Sequence, residues 1–315
     1  MDPTQNDVNF DSLLTNISVA YRQLQTNFVA SQVFPTVTVQ KQSDRYATYT
    51  KNDWFRDDAG KRADATESEG SSYTLSSDTY FADVYAHHKD IGDQIRKNAA
   101  SVFNLDKDAS ELVTTKLLLR QELQFVTDFF TTGKWGTDIV GDVGFTKFSN
   151  FAGSNPIGVI ATGKNTVIKN TGFEPNTLLL GYELFETLKQ HPDFVDRIKY
   201  SSSDPVTEQL MAKLFGVERV LVAKAIKATN KEGATGAYDF VFGKNALLCY
   251  VAPTPGMLTP SAGYQFVWDY AGFGTNIAIS KMRIDTKKCD RIEGEIAWDN
   301  KIIGSDLGYF LSGAA

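Results

Sequence analysis

Cysteine is all but missing from this chain: Cys249 and Cys289 are the only two in 315 residues. They build neither a disulfide framework nor a C-x-x-C metal pair, and a reducing compartment is expected. Histidine is as scarce. His87, His88 and His191 are too few and too scattered for a histidine-based zinc site. No apolar run reaches the ~18 residues of a membrane span, and the polar start MDPTQNDVNF lacks the apolar stretch of a signal peptide. Basic charge is short too. A net charge of −6 withholds the positive face that a sequence-reading nucleic-acid binder needs, though not one that merely faces DNA. There is no G-x-S-x-G elbow and no Cys–His pairing. Neither catalytic residue, cofactor nor metal is expected, and the chain reads as something other than an enzyme.

What is present is an ordinary globular composition, 42% hydrophobic and 22% charged, with a high aromatic count of 21 Phe and 13 Tyr, suited to extended packing and interfaces. The longest element expected is a helix over about 108–132. Asp108 is a candidate N-cap with Glu111 as its capping-box partner, and Gly133 follows as the stop. Leu112, Leu119, Leu123, Val126 and Phe130 form one stripe, and Leu118, Phe125 and Phe129 a second. Lys116, Arg120, Gln121, Gln124 and Asp128 are left as the wet face.

Ahead of this helix, residues 1–43 read as an arm, with helical spacing from Asp11 to Phe28 and β-like Thr36 to Val39. Tyr46 to Thr50 and Thr79 to Tyr85 read as strands. Between them, Asn52 to Ser77 is too polar to bury a core. It is either a mobile surface loop or an extended two-stranded arm, and the second reading is adopted because Trp54, Phe55, Tyr73 and Leu75 sit among its charges as docking surfaces require. Ile91 to Val102 is a linking strand or short helix, and Trp135 to Val167 reads as loop and strand.

Residues 176–278 look like an α/β unit. Asn176 to Gly181 is a buried strand. Tyr182 to Gln190 is a helix stopped by His191-Pro192, and a second helix opens at Asp204-Pro205 and stops at Gly216. Glu218 to Ala223, Tyr238 to Gly243 and Ala246 to Val251 are strands. The chain returns to β structure in Ile279 to Thr286, Cys289 to Gly294 and Gly304 to Leu311.

Three groupings carry a hint of chemistry. Gly158 to Asn165 approaches the phosphate-cradling G-x-x-x-x-G-K-[ST] loop, but Asn165 replaces the hydroxyl, and Thr166-Val167-Ile168 reads as strand where a helix is needed. Gly272-Phe273-Gly274 reads as a turn. Asp290, Glu293 and Glu295 lie close, yet on a strand Arg291, Glu293 and Glu295 share one face, as an ion-pair surface would.

The order of elements then becomes recognisable: arm, charged hairpin, one long helix, β-rich region, α/β unit and β return. Together with Phe28-Val29-Ala30-Ser31-Gln32-Val33-Phe34-Pro35, Asp44-Arg45-Tyr46, the run Ala63 to Glu69 and Thr79-Tyr80-Phe81, it resembles the major capsid proteins of tailed bacteriophages, with the Hong Kong 97-type (Johnson) fold. The resemblance implies an α+β protein. It would have an N-arm (1–43), an extended loop (44–90), a peripheral domain (91–175 and 279–315) holding the spine helix, and an axial domain (176–278). It implies a virion coat protein, assembled in the host bacterial cytoplasm as hexamers and pentamers into an icosahedral shell. The shell would enclose double-stranded DNA without sequence-specific contacts and without a membrane. The short N-terminus points to a separate scaffolding protein, with a portal and a decoration protein as further candidate partners. Trp54 and Phe55 are the expected apolar anchors between subunits, and Arg56, Asp57, Asp58, Arg62 and Glu67 the expected ion-pairing residues. The founding member crosslinks its shell through lysine and asparagine. Lys51 and Lys61 lie in the loop here, but no acceptor asparagine or catalytic glutamate can be matched. The alternatives are an encapsulin-like compartment shell and a nucleotide-binding enzyme built on 158–166.

Overall fold

The computed structural model describes residues 23–49, 51–99, 104–198, 207–256, 259–269 and 277–315. Most of the helix expected over Asp11 to Phe28 lies outside them, as do Asp204-Pro205 and Gly272-Phe273-Gly274. The chain enters through α1 (Ala30–Val33) and β1 (Thr36–Val39), then the hairpin β2 (Ser43–Tyr49) and β3 (Leu75–Phe81), with α2 (Lys51–Trp54) just beyond β2. The strand expected from Thr79 to Tyr85 is two strands. At the fully buried Ala82 the chain stops pairing with β2 and, as β4 (Asp83–Gly92), pairs with β13 (Cys289–Ile302).

After α3 (Asp93–Asn98) comes the spine, α4 (Leu105–Phe129), 25 residues long and so about 37 Å at ~1.5 Å per residue. It starts earlier than its sequence suggests. The N-cap is Asn104, whose side chain accepts from the Lys107 N–H at 3.1 Å, and not Asp108, which lies in the first turn. The buried positions are Ala109, Val113, Leu117, Gln121, Glu122, Phe125 and Phe129, whereas Leu112 is 42% exposed. An i, i+4 row drifts around the helix by ~40° per step. That drift suits a helix covered by different bodies at its two ends. Val113 and Leu117 pack on Ile296, Trp298 and Val267, while Phe125, Phe129 and Phe130 pack on Phe34, Trp135, Phe242 and Phe310. Gln121, expected on the wet face, is buried for this reason.

The next surprise is α5 (Pro156–Thr171), where loop and strand were expected. Asn155 caps it by accepting from the Gly158 N–H at 2.8 Å, Pro156 sits in its first turn, and Gly172 closes it at φ 76°. The β-branched run at 166–168 is overridden because Ile160, Gly163, Val167 and Thr171 make one buried helical stripe. Then follow β5 (Thr137–Val140, which precedes α5), β6 (Thr177–Gly181), α6 (Tyr182–Gln190), α7 (Pro192–Ile198), α8 (Glu208–Phe215), β7 (Arg219–Ala223), β8 (Ile226–Ala228), β9 (Tyr238–Phe240), β10 (Ala246–Cys249), β11 (Gly263–Trp268), β12 (Ala278–Ile284) and β14 (Gly308–Ser312). The cap of α8 is Thr207, which accepts from the Leu210 N–H.

Two five-stranded sheets organise the molecule. One runs β5-β14-β10-β6-β7, and the other β1-β11-β13-β12 with β4 also on β13. Pairing thus crosses the expected module boundaries: β5 and β14 complete the sheet of β6, β7 and β10, and β11 joins β13. All of β6 is buried, as befits a central strand covered on both faces. Leu178, Leu180, Leu248 and Val222 face α5, α6 and α8. Leu179, Leu247 and Phe310 face the spine helix and the arm. Among the described residues no helix is long and apolar enough to cross a membrane.

Candidate assembly interface

The hairpin β2–β3 is registered from Ser43↔Phe81 to Tyr49↔Leu75. Its base is fixed by aromatic stacking: Tyr80 lies on Phe266 with centroids 4.7 Å apart and Tyr46 at 5.5 Å. The Tyr46 hydroxyl donates to Asp78 at 3.0 Å. Beyond Tyr49 the regular ladder ends. Tyr49, Trp54 and Tyr73 form a trio with centroids 5.8 to 6.1 Å apart, and Asp53 accepts from the Thr74 N–H at 2.7 Å. This trio ties α2 to the return strand but does not bury itself. Trp54 remains 57% exposed, Phe55 62%, Tyr73 62% and Leu75 57%. Four large apolar groups on one loop form a concentration that a solitary soluble subunit rarely shows.

The expected ion-pairing residues are not gathered into one cluster. Arg56 and Asp58 stand 3.9 Å apart. The Arg62 Nε donates to the Thr66 carbonyl at 2.5 Å, and Asp57 and Glu67 are exposed. Sequence reading missed what anchors the loop to the body. Lys51 donates to Asp306 at 2.6 Å, and the Phe81 N–H donates to Asp299 at 2.8 Å. It also missed the network at the far end of the molecule. There Arg283 donates to Asp93 at 2.5 and 2.6 Å and reaches Asp290 at 3.3 Å. Arg96 reaches Asp106 at 2.7 Å and Asp290 at 3.1 Å, and Lys281 reaches Asp106 at 2.8 Å. On the other face of β13 the partner of Arg291 is Asp90, at 2.7 and 3.0 Å, and not a neighbouring glutamate. Hydrogen bonds from Arg291 hold the Asp90 carboxyl down at about 2, and those from Arg96 and Lys281 do the same for Asp106. Alternating charges over 281–291 were the signal available for this network.

Two groupings with a catalytic look resolve into structure. Gly158 and Gly163 lie inside α5, so no loop is present to cradle a phosphate. A Cβ on Gly163 would stand 2.8 Å from the Tyr309 ring, and glycine is there for close packing. Lys164 donates to the Gly216 carbonyl at 2.6 Å and pairs with Glu174 at 2.8 Å. Ser154, His191 and Asp193 also come together, with Ser154 Oγ 2.9 Å from His191 Nε2. The Asp193 N–H donates to His191 Nδ1 at 3.2 Å, so Nε2 carries the ring proton and donates it to Ser154, whose hydroxyl donates onward to the Asn150 carbonyl at 2.7 Å. The nitrogen that would have to take a serine proton is already protonated. The grouping fastens the start of α5 to the α6–α7 turn. Among the described residues no cluster of histidine, cysteine or carboxylates is fit to hold a metal.

No family model matches the chain. The sequence is 26% identical over 309 residues to the major capsid protein of Burkholderia phage BcepMu, covering 96% of both chains. The fold is similar to that of a phage-related protein from Bordetella bronchiseptica, with a TM-score of 0.70 at 20% identity over 93% of this chain and 94% of that one. It is also similar to the capsid of the cyanophage P-SCSP1u, with a TM-score of 0.66 at 12% identity over 98% and 93%. The architecture is therefore the α+β Hong Kong 97-type fold of shell-forming proteins. Within that class, the sequence is similar over nearly its whole length to a phage major capsid protein.

Proposed function

We propose that the chain self-assembles, as hexamers and pentamers, into an icosahedral shell enclosing phage double-stranded DNA. The observation that carries this reading is the loop beyond Tyr49, with Trp54, Phe55, Tyr73 and Leu75 exposed on a segment whose own side chains leave them uncovered. A neighbouring copy covers them. Affinity in a closed shell is divided among many such contacts, so each can be weak enough to keep the subunit soluble. Trp54 and Phe55 act as the anchors and Arg56, Asp57, Asp58, Arg62 and Glu67 as the polar rim around them. In this reading 44–90 is the extended loop, 91–175 and 279–315 the peripheral domain, and 176–278 the axial domain around each symmetry axis. A separate scaffolding protein, a portal and a decoration protein are its partners. Assembly takes place in the host bacterial cytoplasm. DNA contacts carry no sequence preference, in line with the net charge of −6. The sequence likeness to a phage major capsid protein over 96% of the chain favours a genome container over a compartment for protein cargo.

Negative-stain electron microscopy and size-exclusion chromatography of the purified protein test this. Closed particles, capsomers or tubes are expected, and Trp54→Ala with Phe55→Ala should abolish them while moving subunit stability by no more than about 0.5 kcal/mol, as for surface positions. A double variant that assembles like the parent removes the anchors from the proposal. A monomer at all concentrations, with scaffold supplied, overturns the shell.

A further inference from the structure

The root of the N-terminal arm is held to the body at three places by side-chain hydrogen bonds. Gln23 makes a two-point amide contact with the backbone of Ile226, donating to its carbonyl at 2.7 Å and accepting from its N–H at 3.0 Å. Arg219 of β7 donates to the carbonyls of Gln32 and Val33 at 3.1 and 2.8 Å, which are the free carbonyls at the C-terminal end of α1. At the opposite end of α1, Glu122 of the spine helix accepts from the Ala30 N–H at 2.7 Å. The four-residue helix is thus stretched between a carboxyl group on α4 and a guanidinium on the α/β sheet.

Glu122 is the anomalous member. It is fully buried, and its second oxygen, Oε2, is enclosed without a well-formed hydrogen bond, the Val29 amide acting on the carboxyl only weakly beside that of Ala30. On its own face of α4, three and four positions away, lie Leu118, Leu119, Phe125 and Val126, while Arg120 is turned to Gln124 and the Tyr85 ring. α1 carries no ionisable side chain. The cluster around α1 is hydrocarbon and aromatic, from Phe28, Val33 and Phe34 to Phe242 and Phe310. Cys249 on β10 lies in the same cluster, and burial pushes its thiol up to about 12, so that it stays neutral. Arg219, the cation contributed by β7, is committed to Thr177, Gln32 and Val33. Among the described residues no cation offsets a charge on Glu122. A neutral carboxyl is tolerable there, but an ionised one with an orphaned oxygen is not.

We infer that Glu122 is a proton-operated clamp on the arm: uncharged, it holds α1 against the spine helix, and on ionising it lets the arm root lift away to admit water. Burial pushes its carboxyl up to about 7, against the pull of the Ala30 and Val29 amides. Lifting the root returns the group to its free value of 4.5. The opening equilibrium therefore grows about tenfold per pH unit from 4.5 to 7 and levels off above. The device resides in the subunit and stands whether or not the shell reading does.

Hydrogen exchange by mass spectrometry on the full chain, expressed as protection factors across pH 4.5 to 8.5, reads this directly. Peptides over 23–35 should lose protection by about two orders of magnitude between pH 4.5 and 7, while peptides from α5 stay level. Glu122→Gln keeps an oxygen for the Ala30 N–H but cannot ionise, so its profile should be flat. A flat profile in the unaltered chain, or an unchanged slope in Glu122→Gln, overturns the clamp. Should that variant not fold, Asp128→Asn decides. Asp128 is the other spine-helix carboxyl raised by burial, and a slope that vanishes in this variant assigns the switch to Asp128 and overturns the proposal, whereas a slope that persists upholds it.

Discussion

The Lys51 ammonium donates a 2.6 Å hydrogen bond to the Asp306 carboxylate, joining positions 255 residues apart. It fastens α2, just past β2, to the short turn ahead of the last strand, and so sets the direction in which the segment between β2 and β3 leaves the body. Both side chains are 42% exposed, which limits the pair to under ~1 kcal/mol of stability. Its effect is expected on geometry. Lys51→Ala should leave the unfolding midpoint nearly unchanged and lower particle yield in light-scattering assembly assays. The exchange Lys51→Asp with Asp306→Lys should restore it, and failure of the exchange to rescue would place the role of Lys51 elsewhere.

Acid should loosen the far end of the molecule. The Arg291 hydrogen bonds hold Asp90 at about 2, and those from Arg96 and Lys281 hold Asp106 at about 2, against 3.8 for a free aspartate. A carboxyl depressed by folding contributes stability that is complete above about pH 4 and is lost as the pH falls toward 2. Urea unfolding at pH 7 and pH 3 should show this loss, and Asp90→Asn should shrink the difference by on the order of 1 kcal/mol, the upper range for a partly exposed pair. An unchanged difference in the variant would remove Asp90 from the account.

Gly294 on β13 lies under the spine helix. A Cβ there would stand 2.5 Å from Val113 and 3.0 Å from Leu117. Gly294→Ala is expected to destabilise by about 1–3 kcal/mol through overpacking, measured by thermal or urea unfolding. Pairing it with Val113→Ala should recover part of the loss, because the two sites share one contact.

Lys164 should behave as a structural residue. Lys164→Met removes its bonds to the Gly216 carbonyl and Glu174, and leaves that carbonyl at the end of α8 with one partner fewer. A loss of about 1–2 kcal/mol is expected, with no nucleotide binding by calorimetry in parent or variant. Saturable nucleotide binding that the variant abolishes would reverse this reading.

Signals confined to a few neighbouring residues were legible. The helix Tyr182–Gln190, stopped by His191-Pro192, the β segments Ile279 to Thr286 and Cys289 to Gly294, and the exposure of Trp54 and Phe55 follow from local pattern. α5 was missed because Gly158, Gly163 and Thr166-Val167-Ile168 argue locally against a helix, and only burial against Tyr309 and the α/β sheet reveals its stripe. The wet face of the spine helix was misplaced at Gln121 because the helix changes partners along its length. Of the candidate interface, the exposed aromatics Trp54 and Phe55 could be read, but Lys51–Asp306 and Arg283–Asp93 join residues that adjacency never brings together. Glu122 carries no sequence signal at all. An acidic residue in a charged helix looks solvated until the arm is laid across it.

Because β1 runs parallel to β11, from Thr36↔Gln265 to Val39↔Trp268, tension drawn along the arm loads those rungs together, in shear, instead of peeling them one by one. Before it reaches them it meets the Gln23–Ile226 amide pair, then the Glu122 and Arg219 holds on either end of α1. A pull on the arm is therefore opposed in stages, first by these polar holds and then by the β1–β11 rungs.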